Sequence, residues 1–381
     1  MNENTGSEFD VNEKSAAPAQ YNWNEAPSSE SAEESPVMIR RKVKNGYSWA
    51  SSIILWQQLF AIIIMVICSF AFSAVNSPKI MAEHPDYNIQ QVMEEVVRLA
   101  STGTYAILSN AGTMILANIL AIIIVYFSTK RFKFGQLFAK TDFPVSGIIL
   151  SIIGVFGVQG FSCIFQGIVM NLTGYSGMNE QITSALTFTD NPAVNIILVL
   201  YVVILAPILE EIMFRGIALN CLAPVNRTFA LIASSLLFGL MHCNFNQIFN
   251  GFLIGMVFGY IALKCGSIVP AIICHIFVNA NAMGISYIFE YALAENLGDA
   301  AYTYELMAFA AELVIGGAAA AVLLKKHGKI SSTDIIVTSY TYEFEQNDEK
   351  KLTWKLLFKS PVFWITAAYC IVSACMLVTA I

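Results

Sequence analysis

Charge is scarce in this chain. Only 13% of its 381 residues are Asp, Glu, Lys or Arg, against about 25% in soluble globular proteins. Apolar types make up 56% of the chain and the mean hydropathy is +0.61. This composition argues against a string of soluble domains and for an all-α, polytopic membrane bundle. The net charge is −6 and no basic–aromatic stripe occurs, so nucleic acid is not an expected partner. None of the eight cysteines forms a C-x-x-C pair and no H-E-x-x-H helix is present. A disulfide framework, a thiolate zinc site and the helical metalloprotease motif therefore have no support. No Ser, Thr or Cys nucleophile with a matching base stands out, and no internal repeat is evident.

Residues 1 to about 39 carry eight acidic residues and one lysine among Ser, Asn, Ala and Pro. Such a tail buries too little apolar surface to offset its ordering entropy. The cluster Arg40, Arg41, Lys42, Lys44 then leads into the first apolar run. Runs long enough to cross about 30 Å of hydrocarbon predict nine spans: 50–75, 104–127, 145–170, 192–214, 228–248, 249–264, 268–289, 304–325 and 361–381. The sixth is short and follows the fifth across only "NFNQIFNG", so a re-entrant or tilted pair is an alternative there. With the N-terminus in the cytoplasm, only Lys79 and Arg98 of the 21 lysines and arginines fall outside. That is the positive-inside pattern, and nine spans then put the C-terminus outside. The outer loop 76–103 is expected to hold a surface helix, and 326–358 reads as a mixed-charge cytoplasmic connector.

Polar side chains within the spans gather in a few places: Glu210-Glu211-x-x-x-Arg215, Phe238-x-x-x-His242, the Asn244, Asn246, Gln247 group, and His275-x-x-x-Asn279. Ionisable groups in membrane helices usually face an interior cavity and mark function. Glu211 and Arg215, four residues apart, share a face and can neutralise each other. Glu210 points about 100° away, free to act as a general base on water. The alternative is that both glutamates snorkel with Arg215 to the interface. His275 and Asn279 also share a face and suit an oxyanion site, or else serve as interhelical glue. His242 could orient or deprotonate the water, or simply pack. Asn244 and Gln247 read as a helix end, and Gly251-x-x-x-Gly255-x-x-x-Gly259 as a small-residue packing face. Glu210, His242 and His275 are also the candidates for a divalent metal such as zinc, although none is required by the sequence. At 1.5 Å per residue, Glu210 lies roughly 8 Å, His275 roughly 12 Å and His242 roughly 22 Å from the cytoplasmic side. A shared site then needs helix tilt, a buried start to the fifth span, or a longer fourth helix.

Taken together, E-E-x-x-x-R with "FRG", F-x-x-x-H and H-x-x-x-N, in that order over about residues 192–290, resemble the CPBP family of CAAX proteases and bacteriocin-processing enzymes. The resemblance implies an intramembrane endopeptidase. Glu210 would activate water, Glu211 and Arg215 would support it, and His242, His275 and Asn279 would complete the site. It implies membrane lipid as the setting and a CAAX-type protein, bacteriocin or signalling peptide as the substrate. Four regions follow: 1–45, tail and basic cluster; 46–190, N-terminal spans; 191–290, catalytic core; 291–381, C-terminal spans. A non-proteolytic scaffold or self-immunity protein, and a proton-coupled transporter, are the competing classes. No pair of broken helices in matching positions supports the last.

Overall fold

The computed structural model describes residues 36–101, 103–129, 134–173, 188–330 and 352–379. The tail up to residue 35 and connector residues 331–351 lie outside them. Among the described residues there is no strand, and the chain forms a multi-pass helical bundle. We number its helices α1 (Pro36–Glu83), α2 (Ile89–Ala100), α3 (Gly103–Thr129), α4 (Val145–Thr173) and α5 (Pro192–Leu222). There follow α6 (Arg227–Met241), α7 (Phe245–Cys265), α8 (Val269–Ala294), α9 (Gly298–His327), α10 (Trp354–Leu357) and α11 (Pro361–Thr379).

Among the described residues seven helices are long and apolar enough to cross a membrane: α1, α3, α4, α5, α7, α8 and α9. The other two predicted spans correspond to the shorter apolar helices α6 and α11. The count of nine is thus close, but the boundaries differ in informative ways. The first helix begins at Pro36 and runs 48 residues, so the cluster Arg40–Lys44 lies on the helix rather than before it. The expected helix in the outer loop is α2, opened by a capping box in which Asn88 and Gln91 satisfy each other's backbone N–H groups.

The largest corrections concern α5 to α7. The fifth span does not run to residue 248. It stops after 15 residues at Met241, and the sixth, expected to be short, starts at Phe245 and spans 21 residues. The break is a tight corner: Cys243 adopts φ +53°, a conformation few non-glycine residues take. Asn244 then caps α7 by accepting from the Gln247 backbone N–H at 2.9 Å. Gly239 and Gly251 allow the two helices to cross at contact, since a Cβ on Gly251 would lie 3.1 Å from the Gly239 Cα.

The fourth helix extends to Leu222, eight residues beyond the predicted end at 214. This resolves the mismatch in depth. Glu210 now lies about 18 Å from the C-terminal end of α5, close to the roughly 22 Å that separates His242 from the start of α6. The turn between them is itself covered, with Ala223 0% and Val225 6% exposed. Its lid is the C-terminal segment, where Trp354 packs against Phe229 at 4.9 Å between ring centroids. The start of α8 is likewise recessed: the Ile268 backbone N–H donates to Leu137 O at 2.9 Å, beneath the 3-10 turn Phe134–Phe138. Arg215, which the predicted boundary at 214 left just beyond the fourth span, lies within α5 and is 1% exposed in the core.

Candidate active site

Helix α5 is not uniformly α-helical. Wide π-type turns occupy Leu200–Leu205 and Ile212–Ala218, flanking an α-helical turn that carries Glu210 and Glu211. Such turns displace the i→i−4 ladder and release carbonyls to other partners. The Val202 carbonyl accepts from Asn279 Nδ2 at 2.9 Å, which ties α8 to α5. The Arg215 and Gly216 carbonyls both accept from Asn220 Nδ2 at 2.9 Å.

The two adjacent glutamates have different surroundings. The Glu211 side chain is 0% exposed and that of Glu210 is 17% exposed. Arg215 Nη1 donates to Glu211 Oε1 at 2.7 Å, forming the ion pair expected from the i,i+4 spacing. Snorkelling to the interface is therefore overturned for this pair. His275 Nδ1 also bonds Glu211 Oε1, at 3.0 Å. A carboxylate paired with arginine can only accept, so the proton in that bond sits on Nδ1. The other imidazole nitrogen, Nε2, faces Glu210 Oε2 at 3.7 Å.

Phe238 lies at the centre of this arrangement. Its ring stands nearly perpendicular to those of His242 and His275, with centroids 5.3 and 5.7 Å away. The Arg215 guanidinium carbon lies 4.3 Å from the same ring centroid, within cation–π range. His242 caps the end of α6: its Nδ1 lies 3.0 Å from the Phe238 carbonyl. A carbonyl only accepts, so Nδ1 donates here too and Nε2 is the nitrogen left to accept. The F-x-x-x-H spacing thus produces a one-turn helix cap.

Five of the six predicted polar residues fall on α5 and α8, and His242 is the C-cap of α6. Glu210, Glu211, Arg215 and His275 form one chain of contacts, while His242 adjoins it through Phe238. Asn279 is one turn along α8, with one amide N–H on Val202 and a second still to donate. For metal binding, the Nε2-accepting form of each imidazole is the right chemistry. Yet among the described residues no three His, Cys, Asp or Glu side chains are gathered as a metal-holding group. Glu210, His242 and His275 are thus not gathered as a three-ligand group in this arrangement.

Helix α7 contributes contacts to the site that no motif marks. Its Gly255 carbonyl accepts from Arg215 Nη2 at 3.1 Å, and its Phe258 ring stacks on His275 at 4.7 Å and 29°. The glycine spacing located this face of α7 but offered only packing as its role.

Residues 192–281 match the family model for type II CAAX prenyl endopeptidase Rce1-like proteins. Neither a curated protein nor a solved structure matches the chain. The matched segment contains all six polar residues of the site and both phenylalanines that pack on them. That stretch is similar to the Rce1-like family and is set within a longer helical membrane protein.

Proposed function

We propose that this protein is an intramembrane endopeptidase that cleaves a CAAX-type protein, a bacteriocin or a signalling peptide at the membrane. The observation that carries the reading is the division between the carboxylates: Glu211 is held by Arg215 and His275, and Glu210 is left beside His275 Nε2. The family match of residues 192–281 supports the same reaction class.

In this reading Glu210 takes a proton from water as the water oxygen attacks the peptide carbonyl carbon. His242, its Nδ1 committed to Phe238, orients that water through Nε2. The second N–H of Asn279 donates to the oxyanion, a contribution of the kind worth about 10²–10³ in rate. The proton on Glu210 passes to His275 Nε2 and from there to the departing amine as the C–N bond breaks. The 3.7 Å gap closes to a direct hydrogen bond through the closer approach that substrate binding brings. Glu211 and Arg215 touch no reacting atom and hold His275 in the tautomer the relay needs. No step passes through a metal. The protein sits in the cell membrane with its N-terminus in the cytoplasm, as the distribution of Lys and Arg favours.

The test is a peptidase assay on purified protein with a quenched fluorescent farnesylated C-a-a-X peptide and a panel of unprenylated hydrophobic peptides. Cleavage by the native protein and none by the Glu210→Gln variant is expected. Full activity of that variant would end the proposal.

A further inference from the structure

Helix α7 brings no charged side chain to the site. Its one basic residue, Lys264, donates through Nζ to the Lys329 carbonyl near the helix end. Even so, α7 touches the ion chain at two separate points. The Gly255 carbonyl receives one arm of Arg215 while the other arm holds Glu211. The Phe258 ring, 0% exposed, stacks on the His275 imidazole and lies 5.2 Å from the Arg215 guanidinium carbon.

Both contacts bear on the orientation of His275. Rotation of an imidazole about its Cβ–Cγ bond is soft and roughly two-fold. Turning it over would move Nδ1 away from Glu211 and take Nε2 away from Glu210. One face of the ring is covered by Phe258, and Phe238 stands perpendicular to it. Phe258 and Phe238 together also bracket Arg215, whose position sets that of Glu211.

We infer that Phe258 is a positioning residue for the reaction: acting through His275 and Arg215, it keeps Nδ1 on Glu211 and aims Nε2 at Glu210. The inference rests on the endopeptidase reading above for its effect on rate, but not for its effect on the imidazole. It assigns α7 a part in the site that packing alone does not require.

The experiment compares Phe258→Met with Phe229→Met. Each removes a buried ring from the same core and leaves apolar volume behind, but Phe229 packs against Tyr47 and Trp354, away from the site. Both variants are expected to melt lower than the native protein. Only Phe258→Met is expected to lose kcat, by about 10- to 100-fold, the scale of a small misplacement at a reacting centre, with KM nearly unchanged. A second readout is the nitrogen NMR spectrum of the histidines, of which the chain has four, with His275→Asn identifying the relevant signals. Native His275 is expected to show its proton fixed on Nδ1, and Phe258→Met a mixture of tautomers. An unchanged tautomer in Phe258→Met, or a kcat no lower than that of Phe229→Met, overturns the inference. If the native protein cleaves no peptide, the endopeptidase reading fails, and the nitrogen spectra still decide the role of Phe258.

Discussion

His275 Nε2 stands 3.7 Å from Glu210 Oε2, and among the described residues no Lys or Arg side chain forms an ion pair with Glu210. Glu210→Gln is therefore expected to remove at least about 100-fold of the rate, the usual scale of general-base catalysis. Because this side chain is 17% exposed and belongs to no tight ion pair among the described residues, insertion and melting temperature should stay close to native. Comparing cleavage rates and thermal unfolding in the same detergent checks both halves.

Glu211→Gln should behave differently. It leaves Arg215 buried without its carboxylate, a change that typically costs about 3–5 kcal/mol. The double variant Glu211→Gln, Arg215→Met removes the stranded charge and should recover much of the lost stability while remaining inactive. Equal stability of the single and double variants would contradict the view of these residues as a mutually dependent buried pair.

Gly255→Ala should lower activity without preventing assembly. The added Cβ would lie 3.1 Å from Arg215 Nη2 and 3.2 Å from both Phe238 Cδ1 and Ser235 Cβ. Those neighbours must yield by a few tenths of an ångström, enough to disturb the arm of Arg215 and cost about 10-fold in kcat. Gly167→Ala on α4 meets nothing within 4 Å and serves as the silent control in the same assay.

Chelation tests the chemistry directly. With no three-ligand group gathered among the described residues, treatment with EDTA followed by its removal should leave the cleavage rate unchanged. Activity lost to the chelator and restored by zinc would call for a rearranged set of ligands and overturn the metal-free route.

Much of the site was legible because it rests on helical spacing. The i,i+4 interval of Glu211 and Arg215 predicts their ion pair, and the same interval places His275 and Asn279 on one face of α8. What spacing could not give is the partner of each side chain across helices. His275 reaches Glu211, whereas Asn279 reaches the Val202 carbonyl, which lies in a π-type stretch. No hydrophobic period marks such a stretch, since Leu200–Leu205 is apolar on every side. The misplaced break between α6 and α7 has its own cause. The polar Asn244–Gln247 group signals a helix end, but Ile248 and its neighbours carry the predicted span to residue 248. The corner instead rests on the backbone of Cys243 and the cap at Asn244. The Phe258 contact was hidden for another reason: a phenylalanine in an apolar helix looks alike whether it meets lipid, core or catalyst.

The π-type turns of α5 have one more consequence. Each accommodates an extra residue within a turn, so removing a single residue from Leu200–Leu205 would let that stretch relax to ordinary α-helix. The span would remain as greasy, and still long enough to cross the bilayer. Because the wide turn absorbs that extra residue, the helix on either side would keep its phase. The Val202 carbonyl would instead return to the ordinary helix ladder and be lost to Asn279. The tie between α5 and α8 is thus stored as one surplus residue, and a deletion that hydropathy cannot detect would erase it.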